Sequence, residues 1–325
     1  MWGVFAFFNP LRSVILEQHL EQCATAVRRQ GLPTLIVELA FGDAPFRIPH
    51  TVADRVLQLR STCVLWHKER LLNLGIAALP AECRFVTWLD GDVLFENDRW
   101  VDATIAQLDQ HPVVQPFERV AWTDAEGTSP APGTAPHGVG EGHELLGMGR
   151  VLAAAADRPH TLADYVRHGH TGFGWSARRD AIEKHGLYDG AIVGGGDYVN
   201  AHVFAANADF LAGRNVYARL LTEAQRADIR RWGLPLAKEI GGNIGWTPGR
   251  VTHLYHGPSS GRRYTERQAL LREDRFDPVA DLARDDSGCW HWNSDKPRLH
   301  QRVHDYFLAR AEQPDGRPGV RAALD

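Results

Sequence analysis

From Val4 to Phe117, short apolar runs alternate with stretches whose apolar residues recur at helical spacing. Val4 to Phe8 reads as a buried strand, and Ser13 to Gln30 then carries Leu16, Leu20, Cys23, Ala24 and Val27 on one face before Gly31 stops it. Pro33 to Phe41 is a second apolar run, Trp66 to Leu79 a second amphipathic helix ended by Pro80, and Arg84 to Asp90 a third strand. Arg99 to His111 reads as a helix and Val113 to Phe117 as a strand. Such alternation predicts an α/β fold with a mostly parallel sheet, whose ligands gather beyond the carboxyl ends of the strands.

The pattern breaks from Glu118 to about His160, where glycine and proline accumulate without a period, and a flexible surface loop is expected. Beyond it the expected elements are helices over Arg178 to His185 and Asp197 to Ala206, a polar stretch around Asn215 to Glu239 and a strand at Arg250 to Tyr255. A helix from Arg262 to Glu273 and a terminal one from Asp295 to Glu312 follow, with a frayed tail after them. The organisation this predicts is one main domain, 1–267, made of a nucleotide-binding half (1–117), the loop (118–160) and an acceptor-side half (161–267). Residues 268–325 form a C-terminal helical extension and tail.

Composition narrows the function. The 325 residues are 44% hydrophobic and 23% charged with a net charge of −4, which fits a globular protein and gives none of the basic excess usual in nucleic-acid binders. Polymeric nucleic acid is therefore an unlikely partner. No run approaches the ~20 apolar residues that span a bilayer, and the opening MWGVFAFFNP lacks the charged start and cleavage site of a signal peptide. The four cysteines, Cys23, Cys63, Cys83 and Cys289, are widely spaced, so neither a disulfide scaffold nor a zinc ribbon is expected. These readings together predict a soluble, cytoplasmic protein.

Asp90-Gly91-Asp92 follows the apolar strand directly. Residues i and i+2 of an extended chain point the same way, so both carboxylates can face one ligand while Gly91 permits close approach. Hard cations such as Mg²⁺ and Mn²⁺ take oxygen ligands of this kind and bridge them to phosphates. An isolated Asp-Gly-Asp is more often a solvated turn; its place at a strand end argues for the site.

At this point the sequence resembles a known family. WHKERLLNLGIAALPAECRFVTWLDGDVLFENDRWV is similar to the core of GT-A glycosyltransferases, in which a helix precedes the strand that ends in a DxD motif. Family-2-like enzymes and the β-1,4-galactosyltransferase and polypeptide N-acetylgalactosaminyltransferase group are the nearest in pattern. HTGFGWSARRDAIEKHGLYDGAIVGGGDYVNAHVF resembles their acceptor-side segment, and HLYHG followed by RRY and Arg267 lies where many of them place a histidine metal ligand. The three blocks occur in the family's order between Met1 and Arg267. One departure stands out: the GGED-like motif reads Gly194-Gly195-Gly196-Asp197, with glycine where the family has glutamate.

The resemblance implies a Rossmann-like GT-A fold and a metal-dependent, inverting transfer of a hexose-type sugar from a nucleotide-diphosphate donor, uridine most often, to a hydroxyl. It implies Asp197 as general base, Asp92 and His256 as metal ligands with His253 the less favoured histidine, and Asp90 on the ribose or on the metal through water. Manganese is favoured over magnesium because imidazole suits it better. Phe8, Asn9, Arg12, Glu38, Lys68, Asn73, Asp90 and Gly91 are expected at the donor, with Arg262, Arg263 and Arg267 on its diphosphate. Trp175, Gly195 and Gly196 are expected at the sugar or acceptor. The acceptor itself, whether glycan, peptide, small molecule or modified nucleobase, is open. Each site residue also has a plain reading: Asn9-Pro10 is a good turn, Glu38 and Lys68 are ordinary charges, Asp197 is a helix cap, and most tryptophans are core. Competing readings are a catalytically silent carbohydrate-binding or scaffold protein of the same fold, and a sugar-nucleotide nucleotidyltransferase. The latter expects a glycine-rich phosphate loop that FFNPLRS does not supply.

Overall fold

The computed structural model describes residues 1–129, 144–163, 167–257 and 266–310. At its centre is a seven-stranded sheet in the order β10-β6-β9-β4-β1-β2-β3. Its strands are β1 (Trp2–Phe8), β2 (Thr34–Phe41), β3 (Arg55–Ser61), β4 (Phe85–Leu89), β6 (Val113–Gln115), β9 (Gly174–Arg178) and β10 (Ile244–Trp246). All run parallel except β9, which pairs antiparallel with both β4 and β6. This is the mostly parallel α/β sheet that the strand and helix alternation predicts.

Strand alternation sorts the sheet's side chains onto two covered faces. Val4, Leu35, Val37 and Leu39 point into one core, while Phe5, Phe7 and Ile36 point into the other. Helix α1 (Val14–Arg29) closes the second face with Leu20, Cys23, Ala24 and Val27, joined by Trp100 and Val101 of α3 (Trp100–Leu108). Helix α2 (Lys68–Ala77) closes the first, and Gly75 lets it sit tight: a Cβ there would stand 2.6 Å from Val4 and 2.8 Å from Val37. Also on the first face lie α6 (Arg179–Ile182), α7 (Gly196–Phe204), α8 (Ala208–Leu211) and α9 (Glu223–Ile240).

A second, four-stranded sheet has the order β5-β11-β7-β8, from β5 (Val93–Phe95), β7 (Arg119–Trp122), β8 (Glu144–Leu146) and β11 (Arg250–His253). It corrects the reading of 118–160 as one irregular loop, because β7 and β8 pair there and α4 (Met148–Ala154) and α5 (Arg158–Ala163) follow. Strands of three and four residues are too short to leave a periodic signal, and pairing to β11 rather than local pattern makes β7. Residues 130–143 of that interval lie outside the described ones, as does the tail from 311.

The C-terminal segment holds α10 (Glu266–Glu273), α11 (Pro278–Asp281) and α12 (Pro297–Leu308), but also an antiparallel pair, β12 (Leu282–Arg284) with β13 (Trp290–Trp292). The expected extension is thus helical with a hairpin. Its Leu271, Phe276, Leu299, Val303 and Phe307 enter the same core as α2 and α7. Among the described residues no helix is long and apolar enough to cross a membrane.

Candidate active site

Strand pairing brings the first group together. β4 ends at Leu89, the chain turns through Asp90-Gly91-Asp92, and β5 starts at Val93 opposite His253 of β11. The ladder continues one step beyond the strands, with Leu254 N donating to Asp92 O at 2.8 Å. Asp92 Oδ2 therefore stands 3.3 Å from His253 Nε2 and 3.1 Å from His256 Nε2. One ligand atom from each of the three residues falls within 4.8 Å of the others, the one such cluster among the described residues. Burial by itself would raise the Asp92 carboxyl, but the two imidazoles hold it well below the usual carboxylate range. Its Oδ1 is buried and has no hydrogen-bond partner among the described residues. Phe173 stacks on His253 at 4.9 Å and fixes that ring, while a Cβ on Gly91 would meet Leu20 of α1 at 3.0 Å.

Beside this group the first turn of α2 meets the start of α7. Lys68 Nζ lies 2.9 Å from both carboxylate oxygens of Asp197 and also pairs with Asp90 Oδ1. Burial opposes its charge, yet Asp197 and then Asp90 outweigh burial and hold the ammonium firmly protonated. Glu69, the next residue, is 3% exposed, and its Oε1 has no hydrogen-bond partner among the described residues. Burial first, and then the Asp197 charge, push its ionisation up to about 8. Asp90 is lifted by burial as well, to about 6, against the pull of Lys68. A Cβ on Gly172 would stand 3.2 Å from the His170 ring and 3.6 Å from Asp197 Oδ2.

Asp92, His256, Asp90, Lys68, Gly91, Gly195, Gly196 and Asp197 are thus gathered at the carboxyl end of β4. His253, ranked below His256 from sequence, stands equally close to Asp92. Asp90 is turned to Lys68 instead of to the histidines, so it is not one of the clustered ligands.

Other expected site residues have other work. Asn9 spends its amide on Ser13, donating to Ser13 O and accepting from Ser13 N at 2.9 Å each, which makes the turn into α1. Glu38 is 2% exposed, and its carboxylate accepts from Arg47 N at 2.5 Å, from Ile48 N at 3.2 Å and from Gln58 Nε2 at 3.0 Å; it pins the loop after β2. Asn73 ties α2 to the turn before α7, donating to Leu187 O and Asp189 Oδ2 and accepting from Leu187 N. Trp175, 1% exposed with its indole N–H on Thr171 O, is core and offers no face to a sugar. Phe8 packs edge-on against Trp66 at 5.2 Å, and Arg12 is exposed with φ of 51° at the end of the same turn. Arg262 and Arg263 lie outside the described residues.

Sequence reasoning passes over Glu69 and His19 and assigns His170 no role. His19 of α1 stands 6.4 Å, ring to ring, from His256, with burial lowering it to about 4. His170 packs on Phe173 at 4.2 Å and is driven down to about 3 by burial and then by His253. The histidines carry no spacing signal. Glu69 sits in a helix with charged neighbours and reads locally as surface.

No family model matches the chain, and no curated protein matches it. Solved structures that resemble it include glucosyl-3-phosphoglycerate synthase from Mycobacterium tuberculosis with Mn²⁺, UDP and glucosyl-3-phosphoglycerate, at 12% identity over 89% of this chain and 85% of that one, TM-score 0.39. The catalytic domain of Drosophila β1,4-galactosyltransferase 7 with xylobiose is 12% identical over 92% of this chain and 98% of that one, TM-score 0.35. A 4-diphosphocytidyl-2C-methyl-D-erythritol synthase from Anaerococcus prevotii is 11% identical over 76% and 87%, TM-score 0.34.

Proposed function

We propose that the chain is a metal-dependent, inverting glycosyltransferase of GT-A type that moves a hexose-type sugar from a UDP-sugar to a hydroxyl acceptor. The observation that carries this reading is the meeting, at one end of β4, of an Asp-His-His cluster with a carboxylate held on a buried lysine. The donor set suits a divalent cation, manganese above magnesium: two imidazoles and a carboxylate converge, and a buried Asp92 oxygen is left without a partner among the described residues. Asp92, His253 and His256 are the residues to hold it. When bound, such a cation supplies charge neutralisation for a departing diphosphate.

The chain's own part is proton removal and orientation. Lys68 Nζ occupies one side of the Asp197 carboxylate, and the remaining lone pairs can accept a proton. The acceptor hydroxyl gives its proton to Asp197 as its oxygen bonds to the anomeric carbon, and the bond from that carbon to the diphosphate oxygen breaks with its electron pair. A single displacement of this kind inverts the anomeric centre.

The test is a panel of nucleotide sugars incubated with Mn²⁺ and scored for nucleotide release. Release from a UDP-sugar that depends on the metal and vanishes in Asp92→Ala is the expected result; no release from any donor overturns the reading.

A further inference from the structure

Three consecutive glycines lead into α7, and each lies over a polar side chain from elsewhere in the chain. A Cβ at Gly194 would stand 2.8 Å from Arg267 Nη1, one at Gly195 would land on the Tyr217 hydroxyl, and one at Gly196 would land on the Glu69 carboxyl. Gly194 and Gly195 hold φ of 90° and 100°, so their backbone alone calls for glycine. Gly196 does not. It opens a right-handed helix, a conformation open to any residue with a side chain, and a Cβ here would have to displace the Glu69 carboxyl packed against it.

An acid is a costly choice for that hollow. Burying a carboxyl whose Oε1 lacks a partner among the described residues is unfavourable, and an apolar side chain of similar size would fill the space without that cost. Its surroundings supply the reason for it. Lys68 and Glu69 are consecutive on α2, Gly196 and Asp197 are consecutive on α7, and the two pairs face each other: Lys68 grips Asp197 while Glu69 abuts Gly196.

We propose that Glu69 is a positioning residue that acts through Asp197, locking the start of α7 against α2 so that the Asp197 carboxylate stays on Lys68. The inference rests on the reading of Asp197 as proton acceptor. The charged groups that face Glu69 are Lys68, Asp90 and Asp197, one ammonium among three carboxyls counting its own. Held as the neutral acid, Glu69 does not compete with Asp197 for the lysine.

The experiment compares Glu69→Ala, Gly196→Ala, their double variant and Glu69→Gln for melting temperature, UDP affinity with Mn²⁺, and UDP release from the UDP-sugar that the parent turns over. Gly196→Ala should lose stability and turnover together, because its methyl meets the carboxyl. In the double variant the methyl fills the vacated hollow, so melting temperature recovers. Its kcat should stay about 10- to 100-fold low with the donor KM unchanged. Glu69→Gln should lose less than Glu69→Ala. Recovery of kcat along with melting temperature in the double variant means that Glu69 only fills space, and overturns the proposal. If Gly196→Ala does not fold, the double variant and Glu69→Gln decide the matter unaided. If the parent releases UDP from no sugar, the functional reading has failed, and a crystal structure of the double variant still judges this one. Asp197 displaced from Lys68 supports it, and Asp197 still paired overturns it.

Discussion

Asp90 and Asp92 stand two residues apart at the end of one strand, yet they meet different partners. Asp92 faces two imidazoles across the β5–β11 ladder, and Asp90 faces the fixed ammonium of Lys68 on α2. Imidazoles give up their protons and turn their lone pairs to a cation, so the Asp92 side can exchange protons for metal. A carboxylate already paired with a buried lysine has little left to offer one. The element each aspartate faces decides whether it meets imidazoles or an ammonium.

The strongest way to break the comparison is Asp92→Ala, which should abolish Mn²⁺ binding by calorimetry and nucleotide release together. If Asp90→Ala matches it in metal binding, the division between the two aspartates is wrong. Asp197→Asn is expected to reduce turnover by about 10²- to 10⁴-fold while leaving UDP affinity in Mn²⁺ unchanged. His253→Ala and His256→Ala should each weaken Mn²⁺ by about 10- to 100-fold and to similar extents, since the two rings lie equally close to Asp92.

A smaller effect concerns pH. The Glu69 carboxyl ionises near 8 in the folded chain against an ordinary 4.5. Between those values the native state keeps a proton that the unfolded chain has lost, so stability is highest at the acid end and falls as pH rises. The loss levels off above pH 8. Melting curves from pH 5 to 8 should be flatter for Glu69→Gln than for the parent; parallel curves would show that Glu69 ionises normally. Least affected in function should be Asn73→Ala, which loses about 1–3 kcal/mol of stability with the donor KM unmoved, as denaturant melts and steady-state kinetics will show.

Local pattern carried much of the fold. β1, α1, β2, α2, β4 and α3 fall where apolar runs and helical stripes predict them, because elements buried on one or both faces write their burial into the sequence. β3 escaped because it is a half-exposed edge strand, and β5, β7 and β10 because they owe their extension to partners far along the chain. The sequence marks α9 only as a polar stretch, although Thr222 and Gln225 form a capping box at its start.

At the site, the motif order singled out Asp92, His256 and Asp197, residue types whose chemistry is legible wherever they occur. It marks Trp175, Glu38 and Asn73 too, whose polar atoms bond to the chain's own groups, because a polar or aromatic side chain reads the same whether it meets a ligand or its own backbone. By itself the sequence determined the alternation of strands and helices and the acidic turn at the end of β4, since both depend on neighbours within a few residues. Only the tertiary structure decided that Asp92 belongs to the histidines, that Asp90 belongs to Lys68, and that Gly196 makes room for Glu69. Those are contacts between residues more than a hundred positions apart or on different elements, and no local pattern records which surfaces will be pressed together.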